Sequence, residues 1–263
     1  MHAYQTAVRR TEEHLMNAWP SLRTVMCDGW LFREAMGYTK RANSAAALAA
    51  NGDFTATLEL AERFYRSSGN PTIFRLTPLA GVEPDRLLAA RGYRVVDETI
   101  VMTMPLCDAT PHDERVTISA HCTPEWETGY ADAHALAPEQ RRAHRAILDR
   151  IAPLPTGFAM AHDGDRAVAF GLGVVDRGAL GLFDIVTAPE ARRQGAARRL
   201  VQQLLRWGAE QEAHAAWLGV IGDNERAKPL YAQLGFRELY RYHYRVQQGP
   251  LSGSSRTSFT RSV

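Results

Sequence analysis

Three cysteines in 263 residues, Cys27, Cys107 and Cys122, are too few and too widely spaced for a disulfide framework or a metal-ligand pair. They read as reduced thiols in a cytoplasmic protein, and a cysteine nucleophile is not expected. The nine histidines also lack ligand spacing, so no metal is expected. No apolar run approaches the ~18 residues of a membrane span, and the polar N-terminus lacks the apolar core of a secretory signal. An excess of one charge is missing as well: 31 Lys and Arg balance 29 Asp and Glu, for a net +2. Basic residues that are spread rather than striped exclude a partner held by phosphate neutralisation, so no nucleic-acid partner is expected. The five tryptophans are not arranged for base stacking and read as core residues. Trp126 is the one whose position could face a substrate, and His121, His134 and His144 fall in a segment that could line a substrate cleft.

What the chain does contain is a buried strand that passes through a glycine turn into an amphipathic helix, over Asp184 to Leu200. Ala197, Leu200, Val201, Leu204, Leu205 and Gly208 recur at helical spacing, which predicts a helix over 193–212. Its first backbone N–H groups have no partner within the helix and lie at the positive end of the dipole, so they suit a phosphate. Gly195, Ala196 and Ala197 leave room for oxygens to approach the backbone, while Arg192 and Arg193 add charge. Arg198 and Arg199 read as a solvated helix face.

The spacing Arg192-x-x-Gly195-x-Ala197 resembles the pyrophosphate loop of the GNAT superfamily of acyl-CoA-dependent N-acyltransferases, Arg/Gln-x-x-Gly-x-Gly/Ala. A second block, Asn224-x-x-Ala227-x-x-Leu230-Tyr231-x-x-x-Gly235-Phe236, is similar to that family's next helix and following strand. Its order after the apolar strand 215–220 is the family's order. The fold implied is α/β with an α+β mixed sheet.

Composition shifts divide the chain. A break at 106–115 gathers turn residues and reads as a linker. Residues 116–247 carry the order of elements of a complete GNAT domain, and 248–263, rich in Ser, Thr, Gly and Arg, read as a frayed tail. Residues 1–105 repeat the second half in outline. The offset of 143 that carries Gly92-Tyr93-Arg94 onto Gly235-Phe236-Arg237 also carries Gly52 onto Gly195 and a helix at 54–68 onto 197–211. At that offset Arg192 faces Ala49, Ala197 faces Phe54, Tyr231 faces Leu88, and Asp53 brings negative charge to the turn. The first half therefore reads as a degenerate GNAT-like domain that binds no coenzyme. The stretch Trp30-Leu-Phe-Arg33 to Gly37-Tyr-Thr-x-Arg41-Ala-Asn-Ser44 resembles the N-terminal region of a bacterial group of tandem GNAT proteins. Its polar residues suit either a hydrogen-bonded turn or contact with a ligand.

The resemblance implies acetyl-CoA as co-substrate, with Ile185, Val186 and Thr187 pairing the pantetheine arm. Arg192, Arg193, Gln194, Gly195, Ala196 and Ala197 would cradle the pyrophosphate, and Asn224 and Ala227 would complete the site. A backbone N–H near Val186 would donate to the oxyanion, and Tyr231 would be the general acid for the leaving thiolate. Asp184 is a candidate general base. Strict strand alternation would set it on the face opposite Ile185 and Thr187, whereas a bulge would turn it back. His134, Glu127, a water chain, or an amine that arrives neutral are the alternatives. The activity expected is transfer of acetyl to the primary amine of a small amino-acid-like or antibiotic-like molecule, and Arg33, Arg41 and Arg75 could read a carboxylate on it. Protein lysine or N-terminal acetylation and non-catalytic acyl-CoA binding are the other readings. A monomer or homodimer is expected.

Overall fold

A computed structural model describes residues 2–107 and 111–247. The expected tail, and residues 108–110 of the expected linker, lie outside the described residues. In chain order the elements are α1 His2–Ala18, β1 Arg23–Cys27, β2 Trp30–Glu34, β3 Ala45–Ala47, α2 Phe54–Ser67, β4 Ile73–Leu76, α3 Glu83–Ala90 and β5 Arg94–Pro105. There follow β6 Val116–Ser119, α4 Pro124–Ala133, α5 Pro138–Leu148, β7 Thr156–Asp163, β8 Arg166–Asp176 and β9 Ala179–Thr187. The chain then runs through α6 Ala196–Glu210, β10 Ala215–Ile221, α7 Ala227–Gln233 and β11 Arg237–Val246.

Two compact units result. Among the described residues, one holds 2–100, 221–223 and 239–247, and the other holds 101–107, 111–220 and 224–238. In the first unit the strand order is β1-β2-β3-β4-β11-β5, with β3 and β4 parallel and β11 antiparallel to β4 through His243↔Leu76 and Val246↔Ile73. In the second it is β5-β10-β9-β8-β7-β6, with β9 and β10 parallel and β6 to β9 antiparallel. The architecture is the mixed α/β one that the resemblance implies.

The last strand of the sequence, β11, thus belongs to the first unit from Leu239 on, and β5 belongs to the second from Val101 on. The C-terminal part of β5 sits beside β10, where Thr103 Oγ1 donates to the Ala216 carbonyl at 3.0 Å. Deleting residues 1–105 would strip that edge of β10 of its partner and leave its backbone groups unpaired. A 106–263 fragment is therefore expected to lose cooperative thermal unfolding, while the full chain keeps it, as circular dichroism would show.

The core of the first unit is aromatic. Trp30, Phe54 and Phe74 meet at centroid distances of 5.3 to 5.6 Å, with Leu58, Tyr65 and Tyr93 around them. Gly52 and Gly195 have similar left-handed φ values, +73° and +80°, and each precedes a helix at the same point of the two halves. The chemistry of the two turns differs. Asp53 caps α2, accepting from the Thr55 amide at 2.9 Å, so its own carboxylate already occupies that helix start. Phe54 then fills the core where Ala197 stands in the second half.

The polar stretch in the first unit is a hydrogen-bonded turn. Asn43 Oδ1 accepts from the amides of Ala35 and Gly37 at 2.7 and 2.9 Å, and its Nδ2 donates to the carbonyls of Thr39 and Ala35. Arg33, wholly buried, donates to the carbonyls of Arg41 and Trp19. Arg75, also wholly buried, forms a bidentate pair with Glu12 and lies 3.9 Å below the centroid of Tyr242, while Tyr240 donates to the same carboxylate. The expectation that Arg33 and Arg75 read a substrate carboxylate is therefore corrected: each guanidinium is spent on buried acceptors within the unit. Arg41 stands half-buried over the Trp19 ring. Removing one partner of such a pair leaves an uncompensated buried charge. Glu12→Gln is expected to cost roughly 3–5 kcal/mol, measurable by urea unfolding.

Candidate active site

The second unit builds its site from β9, β10, α6 and α7. The buried stripe Ala196, Leu200, Val201, Leu204, Leu205 and Gly208 holds α6 on the sheet, each buried leucine contributing about 1.5–3 kcal/mol relative to exposure. Gly171 permits that approach: a Cβ there would stand 2.7 Å from Ile185 Cδ1 and 2.8 Å from Leu200 Cδ2.

The helix begins at Ala196 and not at 193. Arg193 and Gly195 both take positive φ, +65° and +80°, so the turn is not helical. No side chain caps this helix start, and the first intrahelical bond is Arg199 N–H to Gly195 C=O. The amides of Gly195, Ala196, Ala197 and Arg198 donate to no acceptor among the described residues. The turn itself is tied in place. Arg192 Nε donates to the Thr187 carbonyl and Gln194 Nε2 to the Glu190 carbonyl, both at 3.3 Å, and Arg199 Nη1 donates to the Gln194 carbonyl at 3.0 Å. Arg192 to Gly195 are exposed, Ala197 is half-buried and Ala196 is buried. An exposed helix start with free amides and two flanking arginines is chemically an anion cradle.

β9 and β10 pair from Ala179↔Ala215 to Leu182↔Leu218 and no further, although both strands run on. On that edge the backbone from Phe183 to Thr187, which includes the half-buried Ile185, Val186 and Thr187, has no strand partner. An extended arm with amide groups fits such a gap by strand-like hydrogen bonding.

The bulge considered in the sequence is present. Leu172 faces Phe183 and Phe170 faces Val186, so Asp184 and Ile185 together oppose Gly171. Asp184 takes φ +54°, a left-handed conformation. Its side chain, 3% exposed, turns to α4 and α5. There Tyr130 Oη donates to Oδ1 at 3.0 Å and His144 Nε2 lies 2.8 Å from Oδ2. Both carboxylate oxygens are thus engaged. Glu127 is paired with Arg145 at 3.0 Å, and His134 ends α4.

Tyr231 projects from α7, 3% exposed, with its ring 6.0 Å from Phe236. Burial raises its pKa, so the phenol keeps its proton at neutral pH. Among the described residues nothing hydrogen-bonds its hydroxyl. Asn224 Oδ1 accepts from the Ala227 amide at 3.1 Å and starts α7, so Asn224 and Ala227 serve the helix entry. Pro229 falls within the first turn, where a missing N–H costs little.

Trp126 does not face a substrate. It is wholly buried, and Nε1 donates to the carbonyls of Ala159 and Gly171 at 3.1 and 3.2 Å. Cys122 is pushed up to about 12 by burial and the Glu127 charge, far from a reactive thiolate. Among the described residues no group of His, Cys, Asp or Glu could hold a metal ion, and no helix is long and apolar enough to cross a membrane. Sequence reasoning missed Tyr130 and the pairing of His144. Trp126 and Tyr130 stand four apart on one helix face, but nothing in their spacing points to a residue 54 positions away.

Comparison with known proteins agrees with this geometry. The family described as "Probable histone acetyltransferase Rv0428c C-terminal" matches residues 5–245. The "Uncharacterized N-acetyltransferase YobR" of Bacillus subtilis is 31% identical over 249 residues, covering 92% of this chain and 99% of that one. A "GCN5-related N-acetyltransferase from Kribbella flavida" has the same fold, with TM-score 0.69 at 16% identity, over 92% of this chain and 96% of that one. A "Tandem GNAT protein from the clavulanic acid biosynthesis pathway" shares it at TM-score 0.65 and 13% identity, over 92% and 88%. An anion cradle at α6, an opened strand pair and a family match along nearly the whole length leave one conclusion: the chain belongs to the Rv0428c C-terminal acetyltransferase family and is a GNAT-type N-acetyltransferase.

Proposed function

We propose that this enzyme moves the acetyl group of acetyl-CoA to the primary amine of a small molecule. The observation that carries the coenzyme assignment is the parting of β9 from β10 beyond Leu182 and Leu218, followed along the chain by the uncapped start of α6. In this reading Ile185 and Thr187, whose backbone groups face the open edge, hydrogen-bond the pantetheine arm, and Val186 between them, paired with Phe170 across β8, holds them in place. Arg192, Arg193, Gln194, Gly195, Ala196 and Ala197 hold the pyrophosphate. Asn224 and Ala227 set the entry of α7 and so the place of Tyr231. Metal plays no part in the reading.

The amine nitrogen attacks the thioester carbon, forming the N–C bond as the C–S bond breaks. A backbone N–H beside Val186, that of Ile185 on the open edge of β9, donates to the oxyanion that forms on the carbonyl oxygen, while Val186 itself pairs with Phe170 across β8. Tyr231 gives its proton to the leaving thiolate, and the proton released by the attacking nitrogen passes to solvent through water. Asp184, the carboxylate closest to the opening along β9, has both oxygens occupied. That favours a supporting role over direct proton removal.

For the acceptor, the small-molecule reading is supported by a tandem protein of the same fold that is described as coming from the clavulanic acid biosynthesis pathway. A protein acceptor is the second reading, favoured by printed names. The family description says histone acetyltransferase, and a Salmonella typhimurium relative, 33% identical over 87 residues, is a ribosomal protein bS18 alanine N-acetyltransferase. Coenzyme A release against amino acids, polyamines, aminoglycosides and peptides, with Tyr231→Phe as control, separates the two. Turnover of one small amine well above any peptide is expected. Transfer to peptides alone would assign the second reading.

A further inference from the structure

We propose that Tyr130 and His144 are positioning residues that hold the β9 bulge in the form that presents the following amides to the thioester, with Trp126 fixing the strand opposite. The proposal rests on the acetyl-transfer reading above.

Three observations converge. First, Asp184 breaks the extended conformation of β9 in mid-strand, taking left-handed backbone space at φ +54°, so the bulge is centred on it. Second, the surroundings are specific: the two carboxylate oxygens are divided between Tyr130 of α4 at 3.0 Å and His144 of α5 at 2.8 Å. On the other strand, Trp126 Nε1 donates to the carbonyl of Gly171, the one residue that faces the bulge. Third, the three clamp rings support one another. Trp126 and Tyr130 are stacked at 5.2 Å with a 5° interplanar angle, and the His144 ring lies 4.7 Å from that of Tyr130. Each ring is buried, so none is placed to meet a substrate. What they share is the bulge, bracketed on both of its strands.

The consequence lies in the backbone. A bulge adds one residue and resets the direction of the peptide groups that follow it. Val186 returns to register opposite Phe170 directly after the extra residue. Its own N–H is turned to Phe170 on β8, so the amides on the open edge are those of Ile185 and Thr187, and the direction of the Ile185 N–H is set by the φ and ψ of Asp184. Release of Asp184 from Tyr130 and His144 frees those angles, and a donor turned away from the oxyanion no longer stabilises it.

The test contrasts the clamp with a direct base. Tyr130→Phe keeps the ring and removes the hydroxyl that meets Oδ1, and His144→Phe removes the nitrogen that meets Oδ2 but introduces a larger ring. Asp184→Asn removes the base but still accepts from Tyr130 and can donate to a neutral His144 Nε2, and asparagine tolerates left-handed space. The clamp predicts that each ring variant lowers kcat about tenfold, with the Kd for coenzyme A by calorimetry changed less than threefold, because removal of an oxyanion donor outright costs ~10²–10³-fold. Asp184→Asn is expected to keep kcat within about threefold. Hydrogen exchange of the peptide over 183–187, measured on the same full-length variants, is expected to speed up in the ring variants and stay slow in Asp184→Asn.

Ring variants with wild-type kcat and exchange would overturn the proposal. So would an Asp184→Asn loss of 100-fold or more beside a near-normal Tyr130→Phe, since that pattern is a proton-abstracting carboxylate. If the wild-type enzyme acetylates no amine in the panel, the acetyl-transfer reading fails by itself. The exchange measurement then still decides the clamp: faster exchange in the ring variants supports it, and unchanged exchange overturns it.

Discussion

Replacing Tyr231 with phenylalanine is expected to lower kcat by about 10²–10⁴-fold, the usual worth of general acid help, while the affinity for coenzyme A stays near wild type. The ring would keep its packing against Phe236. Only the hydroxyl is lost, and an interaction made chiefly in the transition state appears in kcat and not in binding. Steady-state kinetics paired with calorimetry on the same variant would check this. A variant with wild-type kcat under chemistry-limited conditions would make Tyr231 a packing residue. The pH profile carries a second test. Burial raises the phenol above the ordinary tyrosine value of about 10, so the protonated form persists below that pH. No alkaline fall in kcat from this group is expected up to about pH 10. Loss of rate near pH 8 to 9 would indicate a different proton donor.

Gly195→Asp is expected to weaken coenzyme A binding by about 100-fold or more with the fold intact. The glycine is exposed in left-handed space at the start of α6, and a Cβ there would meet only Arg199 Nη1, at 3.3 Å. Space therefore permits the side chain, and the left-handed φ costs about 1–2 kcal/mol, which a folded domain absorbs. The pyrophosphate would not: a carboxylate enters the positive end of the helix dipole and competes for the same amides. Loss of two charge-assisted bonds at ~1.5–3 kcal/mol each accounts for 100-fold or more. Unchanged calorimetric affinity with unchanged thermal unfolding would mean that the loop is not the pyrophosphate site.

Much of the candidate site was legible because its chemistry is local. Gly195 with its small neighbours, the apolar stripe of α6, and the spacing from Asn224 to Tyr231 are contiguous in sequence. The first turn of a helix is built by the residues that precede it. The degenerate first turn was legible for the same reason: Asp53 next to Phe54 already states a capped and filled helix start, and the capping bond to Thr55 is what the structure contains. Boundaries erred where backbone conformation departs from periodicity. Arg193 at φ +65° delays α6 by three residues against the expected start. The three-residue β3, Ala45 to Ala47, carries no alternation to read.

Other features depended on contacts between distant segments. The arginines of the first unit illustrate this best. In sequence, Arg33 and Arg75 are charges available to a ligand. In the fold, Arg75 is matched to Glu12, 63 residues earlier, and Arg33 to carbonyls around Trp19 and Arg41. Similarly, the strands that β5 and β11 pair with cannot be read from either half alone, because β4 and β10 lie far from them in sequence.

The sequence by itself determined the fold class, the family and the glycine turn before α6, since these follow from periodicity, from glycine and from residues in fixed spacing along one segment. Only the tertiary structure decided what Asp184 is. Its φ, its burial and its two hydrogen-bond donors come from a bulge against β8 and from two helices 40 and 54 residues away. A carboxylate's role is set by what surrounds it, and spacing along the chain does not carry that information.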